Sequence, residues 1–193
     1  MPSSGVFAVI LAAGGGSRFG GDKLLQVWRG QPLAAHAVRA AEAVCGARSV
    51  LVVGSNWQGV FDACAPLAGF LVRNPGWRSG IGGSIALGAG AVRHVAEAAV
   101  IMLADQPLVT AEHLAALIAR WRRAPGTIVA TAFAGVLGPP ALFPGACLEQ
   151  LAGLSGDRGA RSVIGRAGAQ VEGVAFEPAA VDVDRPEDLR RLP

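Results

Sequence analysis

A short apolar run, Val6-Phe7-Ala8-Val9-Ile10, feeds directly into Leu11-Ala12-Ala13-Gly14-Gly15-Gly16-Ser17-Arg18-Phe19-Gly20-Gly21-Asp22-Lys23. The run reads as a buried first strand, and the turn that follows is too rich in glycine to continue it. A glycine turn after a strand lets backbone N–H groups approach an anion with no Cβ in the way. Arg18 and Lys23 add two fixed positive charges to the same loop. A backbone cradle with cations beside it is what a triphosphate requires.

Spacing excludes the two commonest loops of this kind. A Walker A loop needs Gly, four residues, then Gly-Lys-Ser/Thr. From Gly15 the count reaches Gly20, which is followed by Gly21; from Gly16 it reaches Gly21, which is followed by Asp22. Lys23 precedes Leu24, so no hydroxyl sits beside the lysine to hold magnesium. The dinucleotide pattern G-x-G-x-x-G fails as well: from Gly14 its last position is Phe19. The second strand, running into Gly54-Ser55-Asn56, ends without the acidic residue that would hold a ribose.

The rest of the chain alternates between the two periodicities. A helix is predicted from Leu33 through about residue 47, a strand at 49–53, a short strand at 70–72 and a helix at 84–98. The apolar run 99–104 suits a strand buried on both faces, and Thr110 caps a helix running to Arg123. A strand follows at 127–133. Residues 138–144 read as a proline-bounded extended segment. A helix is predicted at 160–166, short strands at 171–176 and 180–183, and a last helical turn at 186–192. Repeated β-α-β units predict an α/β fold: three layers, Rossmann-like, with a mostly parallel central sheet, in one domain over residues 1–193.

Composition narrows the partners. With 193 residues, 52% hydrophobic and 16% charged, the chain is expected to be globular with a sizeable core. A net charge of +3 is mild, and the densest basic cluster, Arg120-Trp121-Arg122-Arg123, closes a helix where cations favour the dipole. No nucleic acid partner is expected. Cys45, Cys64 and Cys147 show no zinc spacing and read as small core hydrophobes. No apolar stretch is long enough for a bilayer and no signal peptide is recognisable, so a cytoplasmic protein without membrane contact is expected. His36, His94 and His113 all fall in predicted helices and read as surface or packing residues.

Two acidic segments bear on chemistry. Asp105, in Leu103-Ala104-Asp105-Gln106-Pro107, follows a buried strand, and ligands of open α/β sheets bind outside the carboxyl ends of strands. A carboxylate there can reach a magnesium ion bound to phosphates. In Val181-Asp182-Val183-Asp184-Arg185-Pro186-Glu187-Asp188, alternation puts Asp182 and Asp184 on the same side of an extended segment. Glu187 and Asp188 belong to the first turn of the final helix.

The string L-A-A-G-x-x-S-R-F-G-x-x-K at the first loop resembles the signature of the nucleotidyltransferases that activate sugars, alditols and molybdopterin with an NTP, the MobA-like NTP transferases. Further segments are similar in the same order. Arg73-Asn74-Pro75-Gly76-Trp77-Arg78-Ser79-Gly80-Ile81-Gly82-Gly83-Ser84 looks like that family's nucleotide-contacting N-P-x-W loop. Ala104-Asp105-Gln106-Pro107 resembles its GDQP metal motif, with alanine for glycine. The segments 138–143 and 154–161 resemble G-x-P-x-L-F and G-D-x-G-A-R of molybdopterin nucleotidyltransferases, with Pro139 where many relatives carry His or Asn. Residues 182–188 resemble the closing D-x-D-T-P-E-D, with Arg185 for threonine.

The resemblance implies roles. Leu11, Ala12, Ala13, Gly14, Gly15, Gly16 and Ser17 would wrap the nucleotide with Arg18 and Lys23. Asn74, Gly80 and Ser84 would approach base and ribose, while Trp77 reads as a packing residue. Asp105 and Asp184 would hold Mg2+, or Mn2+. Asp157, Arg158 and Arg161 would face the pterin side, with a loop ion pair as the competing reading. Ala12-Ala13-Gly14 resembles the cytidylyl branch, whereas the guanylyl branch usually reads L-A-G-G. The implied reaction is transfer of CMP from CTP to the terminal phosphate of molybdopterin, releasing pyrophosphate. Guanylyl transfer to the same cofactor, cytidylyl transfer to an alditol or sugar phosphate, and a non-catalytic nucleotide-binding chaperone are the alternatives. A phosphate monoester has a second pKa near 6, so the nucleophile needs no general base. Arg18, Lys23 and Asp105 would then be the catalytic groups. The resemblance also implies a transient contact with a molybdoenzyme client and a monomer or weak oligomer.

Overall fold

The computed structural model describes residues 5–193. β1 (Val6–Ala12) leads through the glycine loop into a short hairpin of β2 (Val27–Trp28) and β3 (Gln31–Pro32). Then follow α1 (Leu33–Cys45), β4 (Ser49–Val53), α2 (Trp57–Cys64), β5 (Phe70–Arg73), α3 (Ile81–Val92) and β6 (Ala98–Leu103). The second part runs through α4 (Ala111–Arg123), β7 (Ile128–Phe133), β8 (Val136–Pro144), α5 (Gly145–Ala152) and α6 (Arg161–Ile164). It closes with β9 (Val171–Ala175) and α7 (Pro186–Arg190).

β1 is buried at every position, and period two splits its side chains between two layers. Val6, Ala8, Ile10 and Ala12 pack with α1, α2 and α4; Phe7, Val9 and Leu11 pack with α3, α5 and α6. A strand with no polar face has to be covered on both sides, and β1 accordingly lies inside the seven-stranded sheet β5-β4-β1-β6-β8-β7-β9. All neighbours pair in parallel except β8, which runs antiparallel to β6 and β7. The α/β, mostly parallel architecture expected from the sequence is therefore present. The chain steps from β1 outward to β4 and β5, then crosses back to β6 on the other flank of β1. That reversal opens a crevice beyond the carboxyl ends of β1 and β6.

The structure departs from the sequence reading at several elements. The extended segment 138–144 belongs to a nine-residue strand, β8, inside the sheet. Pro139 and Pro140 are tolerated because the register against β7 shifts there: Ala130 opposes Ala141 and Thr131 opposes Gly138, leaving both prolines outside the ladder. α3 begins three residues early, at Ile81, and stops at Val92 rather than 98. The short strand expected at 180–183 does not form: Glu177–Ala180 is a 3-10 turn with Pro178 in its first turn, and the chain beyond it pairs with no strand. The hairpin, α2 and α5 were not foreseen. α2 offers only Val60 and Cys64 to the core, too little for a readable apolar stripe.

His113 sits in the core of this scaffold rather than on the surface. Its Nε2 lies 2.8 Å from Thr131 Oγ1, and its ring stacks on Phe176 at 4.1 Å between centroids. The Thr131 hydroxyl gives its own proton to the Pro140 carbonyl (2.6 Å), so Nε2 is the donor to Thr131. Burial lowers its pKa to about 4. A folded pKa below the ordinary 6.5 means the stabilisation is complete above pH 6.5 and is lost as the pH falls toward 4. Urea melts should show wild type losing roughly 2–3 kcal/mol more than His113→Gln between pH 7 and pH 4.5. Parallel losses in the two proteins would remove His113 from the acid response.

Burial also pushes the Cys45 thiol up to about 11 and the Cys64 thiol to about 12, consistent with packing rather than chemistry. Among the described residues no helix is long and apolar enough to cross a membrane.

Candidate active site

The crevice is a cavity of about 520 Å³ whose lining includes Leu11 through Arg18 without a gap, together with Lys23, Trp77, Gly80, Ser84, Asp105 and Asp184. The glycine loop is tied into a ring by one acceptor: the Gly16 carbonyl receives the amides of Phe19, Gly20 and Gly21. Gly16 itself has φ +60, and a Cβ there would run into the Gly21 carbonyl oxygen. The conformation therefore requires glycine. Among the described residues, no backbone carbonyl accepts from the amides of residues 14–18. Unpaired N–H groups on a cavity lining are what an anion cradle requires.

Lys23 opens a 3-10 turn whose next residue, Leu24, is 5% exposed and anchors the turn in the core. The Lys23 ammonium donates to Asp105 Oδ2 at 2.7 Å and to Asp184 Oδ1 at 2.9 Å, linking residues far apart in sequence. Desolvation alone would lower the lysine pKa; attraction to Asp105 and the hydrogen bonds to both carboxylates outweigh it and raise the pKa. The hydrogen bond from Lys23 holds the Asp184 carboxyl below the usual range, against some desolvation and with help from Arg18. Arg18 Nη1 meets Asp184 Oδ2 only at 3.4 Å on a largely exposed side chain, a weak surface pair.

One backbone bond and one side-chain cap bring Asp184 to Asp105. The Val183 amide donates to the Asp105 carbonyl at 3.0 Å, strapping the C-terminal segment across the end of β6. Asp188 Oδ2 then accepts from the amides of Asp184 (3.1 Å) and Arg185 (2.8 Å) at the start of α7. The turn before Val183, not a strand, thus sets the position of Asp184.

A divalent cation fits this arrangement. Asp105 Oδ1 is buried without any hydrogen-bond partner, and its carboxylate and that of Asp184 are close enough for one ammonium to bridge. Among the described residues no group of three His, Cys, Asp or Glu could form an all-protein cage. One or two carboxylates completed by substrate phosphates is the usual way magnesium is held.

Other expected site residues are placed differently. Asn74 does not reach the cavity: it is 4% exposed, its Nδ2 donates to Ser84 Oγ (2.9 Å) and its Oδ1 accepts from the Gly76 amide (2.9 Å). Through these two bonds it braces Ser84 and the turn at Gly76. Gly80 lies on the lining with φ +106, where a Cβ would strike the Gly156 carbonyl. Trp77 is more than the packing residue expected. A Cβ at Gly15 would come within 2.6 Å of its ring, which lines the cavity under the Arg78 guanidinium at 4.4 Å.

A second recess of about 330 Å³ shares Leu11, Ile81 and Leu103 with the first. Ile85 and Ile101 complete an apolar floor, and Gln106, Asp157, Arg161 and Asp182 stand around it. Arg158 does not belong to it: the side chain is exposed and donates to Ser155 Oγ at 2.9 Å. Gln106 is 2% exposed; its Nε2 donates to the Ala179 carbonyl, leaving Oε1 buried without a partner. Desolvation, and then the charges of Asp105 and Asp184, raise the Asp182 pKa although its side chain keeps contact with solvent. Sequence reasoning did not foresee Gln106 as a wall residue, and only its place after Asp105 hinted at it.

A glycine cradle at the switch point of a parallel sheet, facing two carboxylates and a lysine, is the equipment of a nucleotidyltransferase. The chain belongs to the MobA-like NTP transferases, whose domain matches residues 8–171. It is 38% identical over 96 residues to the purine catabolism protein PucB of Bacillus subtilis (strain 168), covering 48% of this chain and 45% of that protein. It is 33% identical over 199 residues to nicotine blue oxidoreductase of Paenarthrobacter nicotinovorans, covering 97% and 96%. The match thus spans under half of the Bacillus protein and nearly all of the Paenarthrobacter one. Among solved structures, Rv0371c of Mycobacterium tuberculosis H37Rv is similar with TM-score 0.82 and 27% identity over 97% of each chain. The complex of that protein with manganese gives TM-score 0.79 at 27% identity over 98% of each chain.

Proposed function

We propose that this protein transfers CMP from CTP to the terminal phosphate of molybdopterin, releasing pyrophosphate. The observation that carries the reading is the Lys23 ammonium joining Asp105 and Asp184 beside the unpaired amides of the glycine loop. When bound, Mg2+ or Mn2+ screens phosphate charge and polarises the oxygens around phosphorus. The chain supplies the rest. The amides of residues 14–18 hold the triphosphate, and Arg18 steadies the leaving β- and γ-phosphates. Lys23 neutralises charge between the α-phosphate and the incoming nucleophile. The acceptor phosphate is already largely dianionic at neutral pH, which fits a cavity whose lining includes no histidine among the described residues.

The second recess suits a ring system better than a polyol. Five aliphatic side chains form its floor, and a sugar or alditol would bury hydroxyls against them without partners. Gln106 Oε1 and the carboxylates of Asp157 and Asp182 favour a ligand with N–H donors on its edge, as a pterin has, while Arg161 answers an acceptor or anion. Cytosine is favoured by the Ala12-Ala13-Gly14 form of the loop; the guanylyl reaction on the same acceptor is the nearest alternative. The transient docking on a molybdoenzyme client belongs to the same reading.

A second reading comes from the Paenarthrobacter relative, whose name describes an oxidoreductase acting on nicotine blue. It ranks lower because the loop lacks the dinucleotide spacing and because two carboxylates serve phosphate transfer rather than hydride transfer. One experiment separates them. The protein, incubated with molybdopterin, Mg2+ and each of the four NTPs, should release pyrophosphate fastest with CTP. Absence of pyrophosphate with every NTP, alongside NAD(P)H consumption with a dye substrate, would reverse the ranking.

A further inference from the structure

We propose that Lys23 is the resident cation of the Asp105–Asp184 pair, and that a divalent ion and the Lys23 ammonium serve this carboxylate pair in turn. The inference rests on the reading that a divalent ion serves this site, and is independent of nucleobase and acceptor. Lys23 Nζ makes close charge-assisted bonds to both carboxylates at once, on a side chain only 11% exposed. A magnesium or manganese ion held by the same pair has to sit about 2.1 Å from carboxylate oxygens. That places it against the ammonium, and two cations in contact in a half-buried site repel strongly. Lysine and metal therefore exclude one another there.

Displacement requires a new anion for Lys23, and the cavity provides a place for one. The cradle of residues 14–18 lies on the same loop, with amides that no backbone carbonyl satisfies. A four-carbon stem lets the ammonium swing without moving the Leu24 anchor. A triphosphate seated on the cradle gives the lysine its partner and brings oxygens that complete the metal's coordination. Metal and nucleotide consequently bind with positive coupling, each strengthening the other. In the free protein Lys23 keeps the carboxylates paired, which also shields a part-buried charge cluster from stray cations.

The test is Mn2+ titration of the nucleotide-free protein, followed by electron paramagnetic resonance of the free ion. Wild type should bind weakly. Lys23→Met, which keeps the stem and removes the charge, should bind Mn2+ at least about tenfold more tightly. Lys23→Gln serves as the second variant should the methionine protein misfold by circular dichroism. Asp105→Asn placed on the Lys23→Met background should abolish the gain. Equal Mn2+ affinity in folded wild-type and Lys23 variants, with Asp105→Asn weakening both, would overturn the exchange and leave the metal site standing. An affinity that Asp105→Asn does not touch would overturn the metal reading and the exchange together.

Discussion

Asp105→Asn should lower the rate of pyrophosphate release by about a hundredfold or more while the protein folds as before. The fold is insulated from this change because the strap that positions the C-terminal segment uses the Asp105 carbonyl, not its side chain. Asparagine preserves the size of the group and an oxygen for Lys23, so what is lost is one negative charge. That charge is costly where it stands. Oδ1 is buried without a partner, and Asp184 lies just across the shared lysine. Removing it relieves the carboxylate repulsion but takes from the part-buried Lys23 one of its two ion-pair partners; the two effects oppose one another, so the melting temperature should change little. Single-turnover release at saturating nucleotide and metal, read beside thermal melts, is the measurement. A variant that turns over near the wild-type rate would exclude Asp105 from charge neutralisation at the reacting phosphate.

The parts of this site that were legible in the sequence are the parts whose function is local. A glycine loop advertises its backbone through composition, since only glycine accepts φ +60 at Gly16 against the Gly21 carbonyl. β4 and β6 announce themselves as apolar runs, and Asp105 follows from standing at the end of one. What stayed hidden depends on long-range placement. The turn at Glu177–Ala180 and the Val183 amide bond deliver Asp184 to Asp105, and neither leaves a periodic trace. The same holds for β8, whose prolines mask a strand because a register shift across the sheet removes the need for their N–H groups. Asn74 shows how placement adds to a motif: its motif suggests a ligand contact, and the fold holds its buried amide on Ser84 and the Gly76 amide, behind the cavity lining. The hydrogen bonds from Lys23 to both carboxylates could not be read at all, since they join three segments that the sequence keeps apart.

Gly14→Ala should lower nucleotide affinity and spare stability, and Gly20→Ala should do the reverse, which separates the anion cradle from the loop's own architecture. Gly14 lines the cavity, its φ lies outside the left-handed region, and a Cβ added there meets no protein atom within 4 Å. Alanine therefore costs the fold almost nothing, and any clash it makes is with a bound ligand. Losing one or two amide bonds to a phosphate is worth about 1.5–3 kcal/mol, or roughly ten- to a hundredfold in nucleotide affinity. Gly20 is the converse. Its φ of +88 strains any residue with a Cβ, yet it lies off the cavity lining. Alanine there should lower stability by about 1 kcal/mol with nucleotide affinity nearly unchanged. Isothermal titration with the preferred NTP and Mg2+, set beside denaturant melts, reads both quantities on each variant. If Gly14→Ala binds as wild type does, phosphates do not approach the backbone at this turn, and the unpaired amides of residues 14–18 need another explanation.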